Sequence, residues 1–156
     1  MIAAITTDLD TPAPTAWTIA KRKDTLTFVT RGVLGFDGLG TAAETWSAGE
    51  ELRIRLVAFH AIPLWQHRLR IVRIDDERRE IASAEAGGPV RRWNHIIRIE
   101  PNGSARCRYS DIIDIDAGGL TLVVWLVAHA FYRYRQRRWR TLVASVAPHA
   151  SATKRD

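Results

Sequence analysis

Three segments of alternating side chains, Leu64 to Ile74, Val90 to Ile99 and Ala105 to Ile115, run one after another into a long stretch that begins behind Gly118-Gly119. Alternation with period two is the pattern of a strand with one buried face. The segments are separated by Asp75-Asp76-Glu77, Gly87-Gly88-Pro89 and Pro101-Asn102-Gly103, which are turn chemistry for antiparallel neighbours. Glu80 to Glu85 supplies a short strand between the first two. A further alternating run, Leu52, Ile54, Leu56 and Ala58 against Arg53 and Arg55, enters the series through the turn His60-Ala61-Ile62-Pro63. After Gly119 the period changes. Val127, Phe131, Tyr134 and Leu142 recur near helical spacing, and Arg133, Gln136, Arg137 and Arg140 form an opposite polar face. These patterns predict an antiparallel meander followed by one long helix. Its apolar half, Leu120 to Ala130, is expected to be buried in the concavity of the sheet, and its basic half to emerge from it, where the arginines suit the helix dipole.

A chain of 156 residues, 46% hydrophobic, fits one domain with a real core. Residues 15–146 are expected to form it, with 1–14 as a mobile N-terminal arm and 147–156 as a polar tail. Within it, Ala16 to Lys21 and Thr25 to Leu34 are rich in β-formers and flank Lys23-Asp24, the pattern of a hairpin. Gly35, Gly38 and Gly40 match neither a dinucleotide fingerprint nor a P-loop and read as a loop. The single cysteine, Cys107, excludes an intramolecular disulfide, and the N-terminus lacks the basic-then-apolar layout of a secretory signal, so the cytoplasm is the expected compartment. The apolar run Leu120 to Phe131 falls short of the roughly 20 residues a bilayer requires, so no transmembrane segment is expected. A net charge of +6 permits anionic partners without choosing among them.

Residues two apart on a strand share a face, so Trp65/His67, Trp93/His95 and Tyr109/Asp111 each point one way. With Leu69, Ile71, Ile97, Ile99, Ile113 and Ile115 at the same parity, they predict a concave face that is apolar at one end and aromatic and polar at the other. A histidine beside a carboxylate in such a place can act as acid, base or hydrogen-bond donor. It can equally hold two neighbouring strands in register, and the tryptophans can fill space as well as stack on a guest. The five histidines show no paired metal-ligand spacing, and Cys107 has no activating neighbour or nucleophile elbow around it. Arg53, Arg55, Arg68, Arg70, Arg92, Arg98, Arg106 and Arg108 take the opposite parity, which predicts a basic convex face with Glu80, Glu100, Asp114 and Asp116 available to pair across strands. Aromatic residues for base stacking are missing there, which disfavours nucleic acid. Arg133, Arg137 and Arg140, with aromatic neighbours, are suited to contact with an anionic membrane surface as well as to a solvated helix end.

Between Trp46 and Val143, several stretches in order carry a family resemblance: Gly49-Glu50-Glu51-Leu52, Ile62-Pro63-Leu64-Trp65, Gly88 to His95, Arg108-Tyr109-Ser110-Asp111-Ile112 and Phe131 to Arg138. Together they resemble the polyketide cyclase/dehydrase and lipid-transport superfamily of START-like, Bet v 1-like (SRPBCC) proteins. The resemblance implies an α+β helix-grip fold, a curved antiparallel sheet wrapped around a long C-terminal helix. In that family a first strand is followed by two helices. Here only Gly35 to Trp46 separates the early strand from the next, so the pair is expected to be shortened to a turn around Thr41 to Thr45 or replaced by the Ala16 to Leu34 hairpin. The implied function is to hold a small hydrophobic, lipid-like or aromatic, polyketide-like ligand between sheet and helix without a cofactor. Trp65, His67, Trp93, His95, Tyr109, Asp111 and Phe131 are the ligand-binding candidates. A cyclase or dehydratase using His95 as proton donor or acceptor, oriented by Asp111, is the alternative. An interaction module using the arginine face is a third.

Overall fold

Period-two alternation becomes a seven-stranded antiparallel sheet in the computed structural model, which describes residues 1–39 and 45–146. The strands are β1 Ile2–Leu9, β2 Leu34–Asp37, β3 Glu51–Ala58, β4 Ile62–Asp75, β5 Glu80–Gly87, β6 Val90–Pro101 and β7 Cys107–Asp116. Two short helices, α1 Ala13–Ala20 and α2 Lys23–Thr30, fall between β1 and β2, and the 26-residue helix α3 Thr121–Val146 closes the described chain. In the sheet the order is β1-β7-β6-β5-β4-β3-β2. This is the helix-grip architecture, and the meander from β3 to β7 lies where the alternation placed it.

The N-terminal third differs from the sequence expectation in three ways. Residues 1–14 are not an arm. Ile2–Leu9 pairs with β7 along its whole length, from Ile2 opposite Asp114 to Leu9 opposite Cys107, and alternate side chains enter the core. The expected hairpin is a pair of eight-residue helices. In α1, Ala13, Ala16, Trp17 and Ala20 are buried at i, i+3, i+4 and i+7, a helical stripe that burial enforces over the β-preference of Thr18 and Ile19. Pro14 stands in its first turn, where the missing N–H costs nothing. The helix pair therefore precedes the Gly35 to Trp46 interval. Of the expected turn around Thr41 to Thr45, and of the 147–156 tail, only Thr45 falls within the described residues, as an isolated bridge to Arg22.

The core has two parts. The larger gathers Trp17, Val29, Ile54, Ile71, Ile99 and Trp139 between the helices and the sheet, and the smaller joins Ala3, Ile113 and Ile115 to Ala128 and Tyr132 of α3. Helix α3 is held to β1 by Gln136, whose amide donates to the Ile5 carbonyl at 2.7 Å, and by Arg140, whose guanidinium donates to Thr7 Oγ1 at 2.9 Å. Gln136, expected on the solvated face, is thus buried. The apolar N-terminal half departs the opposite way. Leu122, Val123, Leu126 and Val127 are more than half exposed, and Val123 and Val127 border a hollow between helix and sheet.

On the convex side Arg92 pairs with Asp114 at 2.9 Å, Arg98 with Glu80 at 2.8 Å, Arg106 with Asp10 at 2.8 Å and Arg108 with Asp8 at 3.7 Å. Arg53, Arg55, Arg68 and Arg70 are exposed on β3 and β4, with Arg53 directly opposite Arg68.

Candidate functional site

The hollow between α3, α2 and the concave face of β3 to β6 is a cavity of about 690 Å³. Its walls are largely apolar and aromatic, including Trp46, Leu69, Ile97, Val127 and Phe131. Of the residues expected at the site, Trp65, His67, Trp93, His95 and Phe131 line it. Tyr109 and Asp111 do not line it. They are fully buried behind the wall, covered by Arg135 and Gln136 of α3.

Asp111 is the hub of this buried layer. Nε2 of His95 lies 2.9 Å from Oδ1, the Tyr109 hydroxyl donates to the same oxygen at 3.0 Å, Gln136 Nε2 donates to Oδ2 at 3.3 Å, and the Arg135 guanidinium stands 3.7 Å away. Burial pushes the Asp111 carboxyl up, but Arg135, His95 and Tyr109 outweigh it and hold the group below the ordinary carboxylate value. Tyr109 is driven well above a free phenol, first by burial and then by the Asp111 charge, and so is a neutral donor. Burial likewise raises Tyr132, which stacks on Trp93 with ring centroids 6.2 Å apart and accepts its indole N–H at 3.3 Å. Arg135 lies over the Tyr132 ring, 5.0 Å from the centroid. Asp111 thus fixes the tilt of the His95 ring from behind while that ring faces the cavity. His95 both bridges the two neighbouring strands through Asp111 and lines the cavity.

A second histidine-carboxylate pair lies on the next strands. Nε2 of His67 is 3.0 Å from Glu85 Oε2, and Ser83 Oγ donates to Glu85 Oε1 at 2.6 Å. All three residues line the cavity. Of the three, only His67 stands out as a candidate in the sequence. Yet Ile81, Ser83 and Glu85 alternate on one short strand, so an inward Ile81 carries Glu85 inward with it. The pair forms on a diagonal because the residue directly opposite His67 is Gly87. A Cβ at Gly87 would lie 2.5 Å from the Gln66 carbonyl oxygen and 3.0 Å from His67 Nδ1. Gly88, at φ +54°, gives its side-chain space to the indole of Trp65 in the same way. Arg135, Tyr132 and Trp139 complete the lining from α3. The basic repeat in which Arg135 sits concealed that its side chain is buried and lines the cavity.

Among the described residues there is no group of three or more histidine, cysteine, aspartate or glutamate side chains able to hold a metal ion, and no helix long and apolar enough to cross a membrane.

No protein-family model and no curated protein matches this chain. Solved structures do. A START superfamily protein from Mycobacterium smegmatis superposes with a TM-score of 0.71 at 11% identity, over 93% of this chain and 98% of that one. The Zhui aromatase/cyclase from Streptomyces sp. R1128 gives 0.69 at 12%, over 97% and 98%. Norcoclaurine synthase from Thalictrum flavum, in complex with dopamine and hydroxybenzaldehyde, gives 0.68 at 16%, over 93% and 87%. At such identities the likeness establishes the fold, that of the Bet v 1-like and START-like helix-grip proteins.

Proposed function

We propose that this protein binds a small hydrophobic molecule, lipid-like or aromatic and polyketide-like, between the sheet and α3. One observation carries this reading: a cavity of about 690 Å³ whose apolar wall is broken by a narrow polar belt. Ligand sites typically measure about 300–1,000 Å³ and combine an apolar lining with a few convergent polar groups. Apolar burial supplies the affinity, roughly 25 cal/mol per Å² removed from water, and the belt supplies orientation. Trp65, Trp93 and Phe131 give flat surfaces for stacking. Tyr109 and Asp111 act at one remove, by holding His95.

Native mass spectrometry of gently purified protein is the test. A co-purified small molecule, released on denaturation, is the expected result. Protein that carries nothing and also fails to take up any hydrophobic probe contradicts the reading.

A cyclase or dehydratase reaction is the second reading, favoured by His95 standing in the wall with Asp111 behind it at 2.9 Å. Two of the structurally similar proteins are a synthase and an aromatase/cyclase. In that case His95→Ala abolishes turnover and leaves binding nearly intact. Turnover that survives the substitution removes His95 from the chemistry.

A further inference from the structure

Two carboxylates stand close to the cavity, and they differ in what they have left to offer. Asp111 is wholly enclosed, with His95, Tyr109, Gln136 and Arg135 around it. Glu85 lines the cavity, its side chain keeps 14% of its surface, and each of its oxygens has one donor, His67 Nε2 on one and Ser83 Oγ on the other. A carboxylate has about four lone-pair positions. Two therefore stay open on a group that faces an apolar hollow, where unmatched charge is costly.

The neighbouring histidine cannot take over the polar contact. His67 spends Nε2 on Glu85, and its Nδ1 is turned into the protein beside Gly87, buried without a partner. Glu85 itself is bracketed on the sheet by Leu69 and Trp93, its cross-strand partners. A flat guest lying against Trp93 would bring its edge to the carboxylate.

We propose that Glu85 anchors the ligand, and that the molecule held here has an apolar or aromatic body bearing a hydrogen-bond-donating group, a hydroxyl or a protonated amine, which fills the open lone pairs of this side chain. The inference rests on the container reading and adds the polarity of the guest. An ether, ketone or hydrocarbon of equal shape leaves the carboxylate unmatched, and a ketone or ether oxygen placed there meets a negative charge. Burial pushes the Glu85 carboxyl up, but the hydrogen bond from His67, the nearby His95 and the Ser83 hydroxyl outweigh it. The group stays ionised at neutral pH and remains an acceptor.

Calorimetric titration with 2-naphthylmethylamine, 2-naphthol, 2-methoxynaphthalene and naphthalene separates the possibilities, using wild type and Glu85→Gln. Wild type is expected to bind at least one donor probe roughly tenfold or more tighter than the methoxy compound, as a hydrogen bond to a charged group implies. The preferred probe identifies the donor as ammonium or hydroxyl. In Glu85→Gln that preference falls severalfold, and naphthalene binds more tightly than to wild type because no charge is left unmatched against it. Equal binding of all four probes to wild type overturns the anchor and leaves the container standing, as does a donor preference that survives Glu85→Gln unchanged. Binding of none overturns the container and the anchor together. The wild-type series decides the matter even if the variant fails to fold.

Discussion

Replacing Asp111 with alanine should be among the costliest single changes this chain can suffer. The carboxylate is fully buried and engages His95, Tyr109 and Gln136 at 2.9 to 3.3 Å, with Arg135 at 3.7 Å. Its removal strips the buried Arg135 of its nearest counter-charge and leaves only the more distant Glu85 to act on it; breaking a buried pair in this way typically costs about 3–5 kcal/mol. For a chain of this size, that corresponds to a fall in Tm of roughly 6–20 °C. Urea unfolding followed by circular dichroism measures it directly. Adding Arg135→Met to Asp111→Ala removes the stranded charge, so the double variant should recover part of the loss, with a coupling energy of at least about 1 kcal/mol. The acid limb gives an independent check. Because the folded pKa of Asp111 lies below the ordinary value of 3.8, its contribution is fully present above that value. It is lost as the pH falls through the folded value. Asp111→Ala should therefore flatten the decline of stability in acid. A loss under about 1 kcal/mol, or strictly additive effects of the two substitutions, would show that the layer behind His95 is not held by this charge pair.

Two further outcomes follow from burial and register. Cys107 is fully buried, and burial, followed by the charge of Asp8, pushes its thiol up to about 11. Native protein at pH 8 should alkylate with iodoacetamide at least about a hundredfold more slowly than urea-unfolded protein, as followed by intact mass. Arg53 faces Arg68 across β3 and β4, so Arg68→Glu turns a like-charge pair into an attractive one. Tm should rise by about 1 °C or more in dilute buffer, and the gain should fade in 1 M salt.

The meander was legible because strands with one buried face write their register into the sequence. Once Ile97 and Ile99 point inward, Trp93 and His95 must follow. The N-terminal third hides the same information. On β1 the inward residues are Ala3, Ile5, Thr7 and Leu9, while the outward series begins with an exposed Ile2, so there is little contrast in polarity to detect. In α1 and α2, β-branched residues mask two short helical stripes that tertiary contact enforces. The candidate site was half visible for a related reason. Parity shows which side chains face inward, and Trp65, His67, Trp93 and His95, which it places on one face, all line the hollow. It cannot show that α3 lays Arg135 and Gln136 over Tyr109 and Asp111 and so shuts them off from the hollow. Glu85 was within reach of the same parity rule, but a lone acidic residue at the end of a short strand looks like the edge of a turn.

The β1–β7 seam joins positions far apart in the chain, from Ile2 with Asp114 to Leu9 with Cys107, as between the Thr6 and Ser110 hydroxyls, 104 residues from each other. Such a seam is entropically slow to zip, because the long excursion must be gathered before the rungs repay it. Helix α3, which walls the cavity, is tied to that same edge strand through Gln136 and Arg140. Closure of the container is therefore expected to be completed only once this outermost seam has formed.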